Sequence, residues 1–183
     1  GHHVTLAADA RNRFKGFPDG GQYRVPGDIS SAAFWMVLGL IVPGSSLALQ
    51  NVGLNPSRTG IIDALKLYGA QIEVESLETT GGEAIGNVSI ATQAWGADCS
   101  EVTIGGAVIP RLIDELVVLG ALAAVYPGRT VVKDAEELRV KESDRVVETV
   151  RILRAFGVDA DECPDGFVVR GGKPLKGADL DVS

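Results

Sequence analysis

Pro127-Gly128-Arg129-Thr130-Val131-Val132, then Glu136-Glu137-Leu138-Arg139-Val140-Lys141-Glu142-Ser143-Asp144-Arg145, then Phe156-Gly157-Val158: this is the stretch that sets the fold of the chain. Pro-Gly is a turn pair. Thr130 to Val132 is a short β-rich run. Val146 to Phe156 reads as a helix, and Gly157 is the usual residue for a left-handed helix C-terminus. The charged stretch therefore falls on a strand-to-helix connection, where catalytic groups are often presented. With the helix extended back over it, Lys141 and Arg145 are four apart and share a face. Two cations beside a helix N-terminus, with its free N–H groups, favour an anion. Glu142 then points about 100° away from Lys141 and flanks that anion site. The plainer reading is a solvated face, whose ion pairs contribute only tenths of a kcal/mol.

Working outward, the same punctuation occurs earlier. Pro43-Gly44 precedes Pro127-Gly128 by 84 residues, and Tyr68-Gly69-Ala70 precedes Phe156-Gly157-Val158 by 88. In each half an apolar helix ends at Pro-Gly, a strand follows, a polar loop leads to a helix ending at aromatic-Gly-small, and two strands complete the unit. The first half predicts a helix from about Ser31 to Val42, apolar on nearly every face and so buried all round. It continues with a strand at Leu47 to Val52, a helix at Ile61 to Tyr68, and strands at Gln71 to Val74 and Asn87 to Thr92. Gly81, Gly82 and Gly86 mark the link between those strands. The second half starts a strand at Glu101 to Ile104 and opens its apolar helix at Pro110, a residue suited to a first helical turn. Two βαβαββ units result, roughly 22–93 and 100–171, an internal repeat that defines the architecture. The fold class is α/β (α+β), a sheet with helices packed on one face and the buried helices shared between units.

Composition bounds the function. The chain has 183 residues, 45% hydrophobic and 22% charged, enough for one domain or two small packed units. A net charge of −7 argues against a nucleic-acid or membrane surface. Cys99 and Cys163 show no paired spacing, which fits a reducing cytoplasm. The histidines are His2 and His3, so His-based catalysis and a His-rich metal site are excluded. The longest apolar runs, Ile29 to Val42 and Leu116 to Tyr126, are too short to span a bilayer. Residues 1–21 read as a leading segment, partly tag-like, with a possible strand at Val4-Thr5-Leu6. Residues 178–183 read as a truncated tail.

Asp114 and Glu115 stand near the start of a helix otherwise made of Leu, Val and Ala. They either complement the helix dipole, worth roughly 0.3–1 kcal/mol, or supply a carboxylate whose pKa an apolar setting raises into the range of a base.

Four segments together resemble one family, the 5-enolpyruvylshikimate-3-phosphate synthases. They are Val25-Pro26-Gly27-Asp28-Ile29-Ser30-Ser31-Ala32-Ala33-Phe34, Asn51-Val52-Gly53-Leu54-Asn55-Pro56-Ser57-Arg58-Thr59-Gly60, Pro110-Arg111-Leu112-Ile113-Asp114-Glu115, and Leu138 to Arg145. They occur in the family's order and spacing, and the resemblance runs from about Gly21 to Gly177. It implies an inverse α/β barrel of two domains, each with three βαβαββ units, and residues 22–177 as an incomplete C-terminal domain. It implies transfer of the enolpyruvyl group of phosphoenolpyruvate to the 5-hydroxyl of shikimate 3-phosphate, with release of phosphate and without a cofactor or metal. By the same resemblance Asp114 is the base that contacts the shikimate hydroxyls, and Glu142 exchanges a proton with the methylene carbon. Lys141 lies where the two substrates meet, and Arg145 clamps the phosphoenolpyruvate carboxylate. Asp28, Ser30 and Ser31 are caps and packing, and Arg58 and Arg111 are structural. The partners implied are the two small-molecule substrates and the missing N-terminal domain, with no nucleic acid and no membrane. The family's downstream Asp-His-Arg motif is not in this sequence, so the chain is expected to be a fragment, inactive alone.

Two other readings compete. The sister transferase acting on UDP-N-acetylglucosamine shares the fold and chemistry but lacks Leu138 to Arg145 and uses a reactive cysteine. A non-catalytic βα-repeat module binding protein or RNA gives no reason for Asp114, Lys141, Glu142 and Arg145 to occur together. Its RNA form also conflicts with the acidic charge and the 5% aromatic content.

Overall fold

The computed structural model describes residues 25–80, 82–92, 94–95 and 99–181. The expected strand at Val4 to Leu6 and the two histidines lie outside them. Helix α1 runs Ile29–Ile41, two residues earlier than the sequence reading, because Asp28 is its N-cap and accepts from the Ser31 N–H at 3.1 Å. Strand β1 (Ser46–Gly53) and helix α2 (Gly60–Leu67) follow. Next comes a hairpin of β2 (Ile72–Thr80) and β3 (Glu83–Ala91). Both hairpin strands are longer than expected, and Gly86 lies inside β3 rather than in the link. A Cβ at Gly86 would lie 2.3 Å from the Glu75 carbonyl, so the pairing itself requires glycine there.

The second unit has β4 (Val102–Ile104), two 3-10 segments at Gly106–Arg111 and Ile113–Glu115, and α3 (Leu116–Val125). It continues with β5 (Arg129–Val132), a 3-10 segment at Glu136–Val140, α4 (Arg145–Ala155), β6 (Asp159–Cys163) and β7 (Gly166–Arg170). The second apolar helix is therefore shorter than predicted, and the Pro110 to Glu115 stretch forms tight 3-10 turns.

The two units share one topology. The second sheet has the order β4-β5-β7-β6, with β4 parallel to β5 and the other pairs antiparallel. The first has β1-β3-β2, all antiparallel, and Gly27 forms a parallel bridge to Val52 where β4 would stand. The repeat extends to the backbone. Asn51 (φ 56°), inside β1, and Asp134 (φ 59°), just past β5, each take the left-handed conformation near the end of the equivalent strand. Each N–H is accepted by an Asx side chain of the following hairpin, Asn87 at 3.2 Å and Asp165 at 2.8 Å. Asn and Asp are the non-glycine residues that best tolerate this conformation.

Helix α1 packs on α3, and each lies against its own sheet. At the junction Tyr68 meets Tyr126 edge-on with ring centroids 5.0 Å apart, and Trp95 meets Tyr126 the same way at 5.7 Å. The buried Tyr68 hydroxyl and the Thr130 hydroxyl are hydrogen-bonded at 3.1 Å. Burial pushes the Tyr68 phenol well above its usual pKa. Arg111 fastens the units from the other end, donating to the Pro56 carbonyl (2.6 Å), Asp63 (2.7 Å) and Thr59 (3.1 Å).

One expectation is overturned. Helix α1 is not buried all round: Phe34 is 64% and Trp35 56% exposed, and Leu38 is exposed beside them. Being apolar on every face predicts that every face meets an apolar neighbour, and the described residues supply neighbours for only one side.

Candidate functional site

The 3-10 turn before α3 and the 3-10 segment before α4 face each other, and charged side chains converge between them. Asp114 Oδ1 accepts from Arg145 Nη1 at 3.0 Å and lies 3.6 Å from Lys141 Nζ. Glu142 Oε1 accepts from Arg145 Nε at 3.0 Å and Nη2 at 2.8 Å. Lys141 Nζ also meets Glu137 at 2.9 Å. Residues 31 apart in sequence thus form one ion-pair cluster, and all four predicted site residues belong to it.

The local geometry differs from the sequence reading in three ways. Helix α4 starts at Arg145, so Lys141 lies outside it, and the two cations meet across Asp114 instead of along a helix face. Glu142 also lies outside the helix and binds Arg145 directly, inside the cluster and not beside it. The helix N-terminus is already satisfied, because Asp144 Oδ1 accepts from the Val146 and Val147 N–H groups, each at 3.1 Å. Asp114 sits on a 3-10 turn with 55% of its side chain exposed. The apolar surroundings expected for it belong to Glu115, which is buried.

Charge is set by these contacts. The Glu137 carboxylate, followed by Asp114, holds Lys141 more firmly protonated than a free lysine. Glu142 is held below the usual carboxylate range by its own backbone N–H and by Arg145. Arg145 is raised in turn by Glu142. Three carboxylates (Asp114, Glu137, Glu142) face two cations (Lys141, Arg145), a net charge of −1. In this state Glu142 is ionised at neutral pH, and Arg145 is paired with both Glu142 and Asp114.

Sequence reasoning missed Glu137, Arg139 and Asp144. An Asp directly ahead of a helical run is a readable N-cap signal. Glu137 pairs with Lys141 four residues on, a spacing legible in the sequence, whereas the Cys163 and Pro164 carbonyls that hold Arg139 are brought to it only by chain crossing. Asp28, Ser30 and Arg58 form their own group, with Arg58 donating to Asp28 and Ser30 at 2.9 Å each. Among the described residues no three His, Cys, Asp or Glu side chains converge in a way that could hold a metal, and no helix is long and apolar enough to cross a membrane.

The repeated βαβαββ architecture with an acid-and-cation cluster at its loop face defines the class. A solved structure of EPSP synthase from Acinetobacter baumannii superposes with a TM-score of 0.77 at 38% identity, covering 84% of this chain and 34% of that one. Those structures have the inverse α/β barrel fold. The family model described as EPSP synthase (3-phosphoshikimate 1-carboxyvinyltransferase) matches residues 7–183, and the chain belongs to this family. Similar relatives bearing the name 3-phosphoshikimate 1-carboxyvinyltransferase include one from Synechococcus sp. (strain WH7803), 43% identical over 99% of this chain. Another, from Gloeobacter violaceus, is 49% identical over 86% of it. The chain spans 39% and 36% of the length of these two relatives.

Proposed function

We propose that this segment, within the whole protein, helps transfer the enolpyruvyl group of phosphoenolpyruvate to the 5-hydroxyl of shikimate 3-phosphate. Residues 22–177 correspond in this reading to most of a C-terminal domain whose cleft is completed by an N-terminal domain. The observation that carries it is the convergence of Asp114, Lys141, Glu142 and Arg145 in one cluster, within a chain of this family. The exposed Phe34 and Trp35 support a further segment packing on α1.

The geometry suggests how the charges are used. A planar guanidinium suits a carboxylate, so the phosphoenolpyruvate carboxylate competes with Glu142 for Arg145. Once Arg145 turns to the substrate, Glu142 loses one of the two contacts that hold its pKa down, takes up a proton from solvent and becomes a proton donor. Glu142 then protonates the phosphoenolpyruvate methylene as the 5-hydroxyl oxygen bonds to the adjacent carbon and its proton passes to Asp114. Elimination breaks the carbon–oxygen bond to phosphate, which leaves with the proton held by Asp114, and returns the methyl proton to Glu142. Lys141 holds the oxygens between the two substrates.

The net charge of −1 also supports the expectation that the 183-residue chain is inactive alone. Two polyanionic substrates need more cations than Lys141 and Arg145 supply. The test replaces the matching segment of the Synechococcus relative with this chain and measures phosphate release from both substrates. Turnover that is lost with Arg145→Ala is expected. A folded chimera with no turnover would overturn the reading, and product formation by the isolated chain would overturn its inactivity.

A further inference from the structure

Arg139 lies in the middle of the charged stretch, and its polar partners Asp144, Glu162, Cys163 and Pro164 are different from the four cluster residues. Its neighbour Leu138 is wholly buried, and its own side chain is 26% exposed. Its guanidinium is committed in three directions. Nε donates to the Pro164 carbonyl at 2.8 Å, Nη2 to the Cys163 carbonyl at 2.5 Å, and Nη1 to Asp144 Oδ2 at 2.7 Å. Glu162 stands 3.9 Å away. The two carbonyls belong to the tip of the β6–β7 hairpin, and Asp144 is the cap of α4. Asp144 is thereby divided: one oxygen holds the helix N–H groups and the other is held by Arg139.

We propose that Arg139 is a positioning residue for Arg145: it locks the α4 cap against the β6–β7 hairpin tip and so fixes the helical turn from which Arg145 projects. This rests on the functional reading above for its meaning, though not for its geometry. Between the buried anchor at Leu138 and the fixed cap at Asp144 lie five residues, 139–143, which include Lys141 and Glu142. With both ends held, that short span has little freedom to move the cluster. A lysine cannot take over, because one ammonium cannot reach two carbonyls and a carboxylate along the directions a planar fork supplies. Removing the fork would also leave the Cys163 and Pro164 carbonyls without these partners.

The test uses the 183-residue chain and its Arg139→Gln, Arg139→Lys and Asp144→Ser variants. Asp144→Ser keeps a helix-capping oxygen but cannot pair with the fork. Amide exchange at Val146 and Val147 and the Arg145 Nε–H resonance are read by NMR without ligand, beside the thermal midpoint. In all three variants the Arg145 Nε–H resonance is expected to move. In both Arg139 variants exchange at the two amides is expected to rise about fivefold, as for a weakened cap. A purely structural clamp would lower the midpoint and leave the Arg145 resonance in place, which overturns the proposal. Full rescue by Arg139→Lys overturns it as well, since charge alone would then suffice. If Arg139→Gln does not fold, Arg139→Lys and Asp144→Ser are read in the same way. A separate titration with phosphoenolpyruvate tests the functional reading: a silent titration counts against that reading, while the ligand-free shifts still decide the role of Arg139.

Discussion

Thr149 lies one turn after Arg145 on α4, 5% exposed, and its hydroxyl has no hydrogen-bond partner. Its methyl faces the bare backbone of Gly120 on α3, where an added Cβ would lie 3.1 Å away. The residue lines an apolar groove of 270 Å³ between α3 and α4. Thr149→Val keeps the methyl against Gly120 and exchanges the hydroxyl for a second methyl. An unpaired buried hydroxyl costs about 1–3 kcal/mol in proteins. The added methyl contributes up to about 0.8 kcal/mol of burial, and helix propensity is nearly unchanged. Allowing for imperfect fit, Thr149→Val should stabilise the chain by about 1–2 kcal/mol. At about 2–4 °C per kcal/mol for a chain of this size, the midpoint rises by about 2–8 °C. Urea unfolding at constant m-value is the assay, with Thr149→Ser as the control. Serine keeps the hydroxyl and loses the packing methyl, so it should destabilise. A Thr149→Val chain less stable than the parent would refute the reasoning, because it would mean the hydroxyl is satisfied.

Leu138→Ala should cost about 3 kcal/mol, from a fully buried leucine and the cavity left behind. Val140→Ala, two residues on and 79% exposed, should change stability by less than about 0.5 kcal/mol; equal costs would deny Leu138 its role as the loop's anchor. Asp144 and Asp161 are held below the usual range, Asp144 chiefly by the Val147 N–H and also by Arg139, and Asp161 by Arg170. A depressed carboxylate adds stability that is fully present above its unfolded pKa and lost as pH falls through its folded one. Thermal midpoints should therefore hold near neutrality and fall once pH drops below about 4. Asp144→Asn should flatten that fall, and an unchanged profile would count against the contacts. Removing Glu137 as Glu137→Gln should lower the Lys141 pKa, read from its 13Cε resonance; no change would show that Asp114 alone governs it. At Gly171 a Cβ would lie 1.9 Å from the Ala123 carbonyl, so Gly171→Ala should destabilise by more than about 2 kcal/mol in the same urea assay.

The sequence by itself determined what is local or periodic. The paired Pro-Gly and aromatic-Gly signals placed both halves of the repeat, and the topology of the two sheets follows it. Asp28 and Asp144 were available as caps because an N-cap is a relation between neighbours in sequence. The residue types at Asp114, Lys141, Glu142 and Arg145 were also legible. Their arrangement was not. A helix drawn back over Lys141 gave a shared face, whereas Asp144, capping the Val146 and Val147 N–H groups, starts the helix four residues later. That later start leaves Lys141 and Glu142 on a loop, free to meet Asp114 and Arg145. Only the tertiary structure decided that Asp114 stands opposite Arg145, that Arg139 reaches the hairpin tip, and that the described residues leave one face of α1 exposed. Such contacts depend on where distant segments cross, and side-chain pairing at 3 Å is fixed by that crossing rather than by any pattern along the chain.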